Sequence, residues 1–436
     1  MKTKFFLFLL LVAATQLKAN NMLVRNVTTT GDNAANKTIQ VQFDMSWDNS
    51  WRDGINWDAA WVFMKFKDAN GLWQHVQLNT TGFANGTGTA NTIQVGSDKV
   101  GAFVYRSAAG TGTFSSTTMQ LQWNYGLSGL TNVTGLEIRV FAIEMVYVPQ
   151  GEFNIAKTFY ITPSSFSPNG TFNAPGDNFP VINTRLTPSL SYSDGTNATI
   201  RIKGDAGIDT NNDGVVDNTT YPTGYKAFYS YKYEMSEQQY ADFLNTLSAT
   251  QITTLGVAGS NITLNNGQYF SSTPNRACGN SNGNRLFAYA DWAGLRPMSF
   301  LEFNKATYGP FKPIRKTGYC VFDSYPASGN VVGQFNNSNC DPLINDVGYL
   351  ANSTSTRQEA GASYYGIMDL TGVNFSEPVV KLNYFSFSNQ NGNGILGSTG
   401  VSDIPSWITT GMLLYIDQEN QFGSERYGFR YVRSAE

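Results

Sequence analysis

Six short segments between residues 21 and 144 alternate apolar with polar residues, and this alternation constrains the fold more than any other feature of the chain. Clusters of Gly, Asn, Asp, Ser and Thr separate the segments, as tight turns between strands require. The pattern predicts an antiparallel β-sandwich of roughly a hundred residues with one wet face. We expect its tryptophans Trp47, Trp61 and Trp123 to pack in the core. The segments read TIQVQFDMSW, AAWVFMKFK, WQHVQL, GAFVYR, TMQLQWNY and LEIRVFAIEM.

The region from Met145 to the C-terminus mixes short strands with two predicted helices. Ser236 with Gln239, and Ser299 with Glu302, have the capping-box spacing that begins a helix. Behind the first box, apolar residues recur at the i, i+3, i+4 and i+7 spacing of a helix packed on a core. The chain is therefore predicted to be α+β, with a sandwich followed by a second, loop-rich domain.

The N-terminus and the charge balance restrict location and partners. Residues 1–19 begin with Lys2 and Lys4, continue with an apolar run over residues 5–14, and end in a polar stretch with the small residue Ala19, which predicts a secretory signal peptide. No other stretch is apolar enough to span a membrane. The net charge of −3, without a basic block, excludes nucleic acid and anionic membranes as expected partners. We predict an extracytoplasmic protein of the periplasm, cell surface or medium, with domains at 20–144 and 145–436.

Three cysteines cannot all pair within one chain. One disulfide and one free thiol is the simplest arrangement in an oxidising compartment. We expect a Cys320–Cys340 bridge across a Gly/Asn-rich loop and a free Cys278, although the sequence leaves the pairing open.

Five motifs in the second region occur in the order found in the formylglycine-generating, or sulfatase-modifying-factor, family, which the chain resembles. The resemblance covers most of 145–436 and leaves 21–144 outside. It implies an irregular C-type-lectin-like domain with structural calcium, in a divergent secreted bacterial member. The motifs are MVYVPQGEF, FYSYKYEMSEQQYADFLN, YADWAGLRPMSFLEFNKAT, YYGIMDLTG and YGFRYVR.

The catalytic groups that this resemblance would require are missing from their expected places. Copper-dependent family members hold the metal with two cysteines near the end of the chain, and residues 381–427 contain none. An iron-binding branch uses three histidines, whereas this chain has only His75, which we interpret as a satisfied strand residue. The sequence therefore predicts a catalytically degenerate member. The alternative is a copper-dependent protein-cysteine oxidase that uses relocated cysteines.

The stretch DTNNDGVVD has the spacing of a calcium loop. Asp209, Asn211, Asp213 and Asp217 place oxygen ligands on one side of a turn that Gly214 permits. We predict a stand-alone calcium site there, against the alternative of a solvated Asn/Asp turn.

A second calcium site is implied by the resemblance at residues 369–377. Asp369, Gly372 and Asn374 match the first three family positions, but Ser376 replaces the expected carboxylate and Glu377 follows one place late. Successive residues of an extended segment point to opposite sides, so we expect weak or absent calcium binding unless the loop bulges to bring Glu377 inward.

The segment NYFSFSNQNGNG, residues 383–394, is the predicted ligand surface. Its aromatic rings would stack on a glycan or protein ligand and its asparagines would supply polar contacts, unless it is an ordinary Asn/Gly loop. We predict a calcium-stabilised binding or cell-surface structural module, with a surface assembly as a third possibility. The candidate ligand-binding residues are Tyr384, Phe385, Phe387, Asn389, Asn391 and Asn393.

Overall fold

The structure is a computed structural model, and it is mainly antiparallel β-sheet with a smaller helical part, an α+β arrangement. All strand pairs named below are antiparallel. The structure describes residues 21–154, 181–182, 220–259, 261–279, 283–310, 346–348, 351, 360, 362–370, 377–380, 387–404, 413–416 and 430–435.

Eighteen strands and four helices lie within these ranges. The strands are β1 (Leu23–Asn33), β2 (Thr38–Arg52), β3 (Asp58–Lys67), β4 (Trp73–His75), β5 (Thr87–Gly88), β6 (Asn91–Val95), β7 (Ala102–Arg106), β8 (Gly110–Asn124), β9 (Glu137–Val148), β10 (Phe153–Asn154), β11 (Val181–Ile182), β12 (Phe228–Tyr231), β13 (Ile262–Asn265), β14 (Gln268–Ser271), β15 (Arg296–Pro297), β16 (Glu377–Val380), β17 (Leu413–Ile416) and β18 (Tyr431–Ser434). The helices are α1 (Glu237–Leu244), α2 (Ala249–Leu255), α3 (Gly283–Trp292) and α4 (Phe300–Tyr308).

Two large sheets organise the chain. The smaller has the strand order β1-β2-β8-β5, and the larger has the order β15-β18-β12-β9-β3-β7-β6, with β4 also paired to β3. Strand β9 pairs with β3 over Glu137–Val146 and with β12 over Met145–Val148. The boundary predicted between residues 144 and 145 therefore falls inside a strand, and strands from both sides of it form one sheet.

Strand β3 is the shared layer between two hydrophobic cores. Ala60, Val62, Met64 and Phe66 face the smaller sheet, where Trp47 and Trp123 also pack. The alternate residues, including Trp61, face the helices and strands of the C-terminal half. The expectation of one wet face is therefore wrong for β3, because both of its faces are covered. The predicted burial of the three tryptophans is confirmed.

Both predicted capping boxes are confirmed. The Ser236 hydroxyl accepts a hydrogen bond from the Gln239 backbone N–H, and the Gln239 side chain accepts one from the Ser236 backbone N–H. Ser299 and Glu302 make the same exchange at the start of α4. The Glu302 carboxylate also binds Arg296 through two contacts of 2.7 Å, so this helix start is fixed to β15 by a buried bidentate ion pair.

Candidate binding site

A cleft of about 210 Å³ lies where the β-rich half meets α1 and α3. Junctions of this kind are common places for ligand sites. Three layers form it: β9 and β3 of the larger sheet, the first strand of the smaller sheet with the residue before it, and the two helices. Its lining comprises Met22, which precedes β1, and Val24 of β1, residues 140–143 of β9, Gln239 and Asp242 of α1, and Phe63, Tyr289 and Trp292 behind them.

Aromatic rings form the floor of the cleft. The Phe141 ring stacks on Phe63 with centroids 5.2 Å apart and meets the edge of Trp292 at 5.0 Å. Trp292 also lies 5.5 Å from Tyr289. Phe63, Tyr289 and Trp292 are buried, whereas Phe141 is half-buried at the mouth. Because each ring is held by its neighbours, the floor is a rigid apolar surface.

The wall formed by β9 presents backbone polar groups. The Glu144 carbonyl accepts the Lys232 backbone N–H at 3.0 Å, on the side away from β3. Because backbone groups alternate in direction along an antiparallel strand, those of Val140 and Ala142 point to the same side. In the part of the chain that the structure describes, β12 pairs with β9 only from Met145 onward. The cleft therefore contains backbone donors and acceptors beside its aromatic floor.

Asp242 places a carboxylate at the cleft. Its Oδ1 accepts a hydrogen bond from the Gln238 side chain at 2.9 Å, one helical turn earlier. Burial raises the pKa of this carboxyl, against the opposing effects of the Gln238 bond and the more distant Arg139. Within the described ranges Asp242 makes no ion pair. A ligand hydroxyl or amine is therefore a suitable partner for this group.

The predicted ligand loop lies elsewhere and is partly built into the fold. Phe387 is fully buried, with its ring at the edge of Tyr221, so that ring is not at the surface for stacking on a ligand. Tyr384 and Phe385 lie outside the described residues. The Asn391 side chain accepts the Ser388 N–H at 2.8 Å.

Asn389 and Asn393 belong to the same loop. Asn393 accepts the Ile395 N–H at 2.7 Å through its side chain, which forms a local turn. The Asn389 N–H donates to the Thr220 carbonyl at 2.9 Å, and this bond ties the loop to the start of the C-terminal half. Neither residue lines the cleft.

The same loop covers a buried polar cluster that the sequence did not indicate. Asp291 of α3 accepts the backbone N–H groups of Asn393 at 2.9 Å and Asp403 at 2.7 Å. Burial, with the Asp403 carboxylate next in effect, raises the pKa of Asp291 to about 7. Lys65 donates to the Gly394 carbonyl at 2.6 Å, and burial lowers the pKa of this amine to about 7. These contacts hold residues 387–404 against α3 and β3.

His75 is a satisfied strand residue, as predicted. Its Nδ1 lies 2.9 Å from Lys65 Nζ and its Nε2 lies 2.7 Å from the Val100 carbonyl oxygen. Burial, followed by the charge of Lys65, lowers the pKa of this imidazole well below its usual value. The ring is therefore neutral and structural at ordinary pH.

The predicted metal ligands lie mostly outside the described residues. This applies to Asp209, Asn211, Asp213 and Asp217 of the first calcium loop, to Gly372 and Asn374 of the second, and to Cys320 and Cys340. Asp369 is described: its Oδ2 accepts the Gly348 N–H at 2.6 Å, and its φ of 55° is left-handed. Over the described ranges, no three His, Cys, Asp or Glu side chains group as metal ligands.

Comparisons of the whole chain with family models, with curated proteins and with solved structures find no match. The helices within the described ranges are too short or too polar to cross a membrane.

Proposed function

We propose that this protein is an extracytoplasmic, non-catalytic binding module, and that the cleft between β9, α1 and α3 binds a glycan. The observation that carries the proposal is the pairing of an aromatic floor with the Asp242 carboxylate in one cleft. Sugar rings have apolar faces that pack on aromatic rings, and hydroxyl groups that hydrogen-bond to carboxylates. Phe141 supplies the accessible ring and Asp242 the polar contact.

The size of the cleft favours a single ring-sized group. Its volume of about 210 Å³ lies below the roughly 300–1,000 Å³ of sites for drug-sized ligands. The ligand would therefore insert one residue of a longer chain and leave the rest outside. The backbone groups of β9 that pair with no other strand among the described residues offer additional hydrogen bonds to hydroxyls at the rim.

We also propose the cellular setting of the module, and this part of the proposal is supported by the sequence. Residues 1–19 support export, and the five family motifs support a C-type-lectin-like frame for 145–436, with structural calcium at Asp209–Asp217. The same sequence features are compatible with a partner at the cell surface, such as a larger surface assembly.

The alternative, a copper-dependent protein-cysteine oxidase, has less support. Cys278 is the cysteine that the structure describes, and it is a free, fully buried thiol. Burial raises its pKa well above the usual range, so the thiol lacks the thiolate character that a copper ligand needs. The residues of the binding cleft, by contrast, need no deprotonated thiol.

Replacing Asp242 by asparagine tests the binding proposal. The change keeps the shape of the side chain and removes its charge, so the strongest acceptor for ligand hydroxyls is lost. We expect about a tenfold loss of affinity, equivalent to about 1.4 kcal/mol. Saturation-transfer NMR with a panel of mono- and oligosaccharides identifies binders, and titration calorimetry gives the affinities.

Glu152→Gln is the matched control, because Glu152 is an exposed carboxylate outside the cleft. It should bind every sugar as the unmodified protein does. Absence of binding across the panel, or an Asp242→Asn protein that binds normally, would rule out the cleft as a glycan site.

A further inference from the structure

A lysine and two carboxyl groups meet in the interior between the two large sheets. The Lys232 Nζ lies 3.1 Å from Asp58 Oδ2 and 3.1 Å from Glu144 Oε2. All three side chains are at most 2% exposed. Asp58 begins β3, Glu144 lies on β9, and Lys232 directly follows β12, so three neighbouring strands of the larger sheet supply the cluster. The side chains of Asp58 and Glu144 lie on the same face, diagonally across the β3–β9 pair.

The surroundings of Asp58 orient its carboxyl group. Oδ1 accepts the Ser50 hydroxyl at 3.0 Å and the Trp51 backbone N–H at 3.0 Å, while Oδ2 accepts the Trp47 indole N–H at 3.1 Å. Lys232 therefore approaches the Oδ2 side of a fixed carboxyl. The two donors on Oδ1 are placed to stabilise negative charge that develops on that oxygen.

Glu144 is suited to carry a proton. Burial raises its pKa to about 7, against the attraction of Lys232. Its Oε1 has no hydrogen-bond partner among the described residues, while its Oε2 contacts Lys232. Two buried carboxylates beside one ammonium leave an excess negative charge, which a low-dielectric interior disfavours. Below about pH 7, one proton is therefore held in the cluster in addition to those of the ammonium group.

We propose that Lys232 and Asp58 are joined by an intramolecular amide bond, which forms without another enzyme and with Glu144 as the proton carrier. A proton first passes from the Lys232 ammonium to Asp58 Oδ2 across their contact, which leaves an amine and a carboxylic acid. The amine nitrogen then attacks Cγ of Asp58, and the charge that develops on Oδ1 is stabilised by Ser50 and Trp51.

The second half of the reaction expels water. Glu144 donates its proton to the departing Oδ2 hydroxyl and accepts a proton from the attacking nitrogen. The Glu144 carboxyl is therefore protonated again when the reaction ends. One C–N bond forms, one C–O bond breaks, and one water molecule leaves, with no change in oxidation state. A cavity of about 10 Å³, about the space of one water, is lined by Glu144, the proton carrier.

The bond would connect β3 of the sandwich to the segment after β12. It would close a loop from Asp58 to Lys232 in the unfolded chain, and long closed loops lose the most conformational entropy on cross-linking. Unlike a disulfide, an amide is not opened by thiols. This suits a module that stays outside the cell, although the inference does not depend on the ligand proposed for the cleft.

Intact-mass spectrometry of the purified, folded protein tests the bond. After reduction, so that disulfides do not alter the mass, we expect the mature chain to weigh one water molecule less than its sequence. Trypsin should fail to cleave after Lys232, and tandem spectra should contain one branched peptide with Lys232 and Asp58 joined. A full sequence mass, with the two peptides recovered separately, would overturn the proposal.

Two variants separate this bond from other losses of water. Lys232→Arg keeps the positive charge but has no amine to form the amide, and it should have the full mass. Glu144→Gln keeps the shape but cannot exchange the proton, so cross-linked protein should be largely absent. A water loss that persists in Lys232→Arg would place the dehydration elsewhere and contradict the proposal. If a variant fails to fold, the spectra of the unmodified protein still decide the question.

Discussion

Replacing Gly392 by alanine is expected to lower the free energy of unfolding by about 3 kcal/mol, because the residue is left-handed and tightly enclosed. Its φ is 92°, and a Cβ built there would overlap the backbone of Leu295. Leu295 is fully buried and its N–H bonds to the Ala290 carbonyl at 2.8 Å, so it cannot move aside. Urea denaturation followed by circular dichroism measures the loss.

Gly397→Ala in the same loop is the matched control. Gly397 has no left-handed φ, and a Cβ there would first meet the Val401 carbonyl oxygen at 3.4 Å, an ordinary contact. We expect its stability to lie within about 0.5 kcal/mol of the unmodified protein. Equal stability of the two variants would show that residues 387–404 do not pack on the end of α3 as described.

Features that depend on residues close together in the chain were predicted best. The capping boxes of α1 and α4 depend on residues three apart, and both were predicted. A third box, Ser248 with Gln251 at the start of α2, has the same spacing and was overlooked. Helix α3 was not predicted because the sequence before it lacks the Ser/Thr-x-x-Glu/Gln spacing that marks the starts of α1 and α4.

The shared sheet was harder to predict, although one sign of it was present. The run AAWVFM in β3 has six consecutive apolar residues, which is typical of a strand covered on both faces. An alternating strand of an independent sandwich has only one core, whereas β3 contributes to two. The continuation of β9 across residue 144 gave no local sign, because pairing with β12 depends on residues 80 to 86 positions away.

The cleft and the Lys232 cluster could not be predicted from one sequence. Met22, Phe141, Asp242 and Trp292 come together only through the tertiary arrangement, and none forms a motif with its chain neighbours. The prediction of the ligand loop depends on its aromatic and Asn content. In the structure, asparagines 391 and 393 make turns, which that composition favours equally.

Replacing Trp61 by alanine is expected to destabilise the whole described fold by about 3–5 kcal/mol, as buried aromatic truncations do. The Trp61 ring is fully buried, its N–H donates to the Ala293 carbonyl at 2.8 Å, and Arg433 lies over its face at 4.4 Å. Met64→Ala, on the opposite face of β3, removes volume from the sandwich core and should cost about 2–5 kcal/mol.

Because β3 belongs to both cores, each variant should weaken both halves together. Hydrogen-exchange mass spectrometry measures this directly: peptides from β2, in the sandwich, and from α3, in the C-terminal half, should lose protection in each variant. If the halves were independent, Trp61→Ala would affect only α3 and Met64→Ala only β2. Leu264→Ala, an exposed residue on β13, is the control and should leave protection unchanged in both peptides. Coupled loss would establish that one sheet makes the two halves a single cooperative unit.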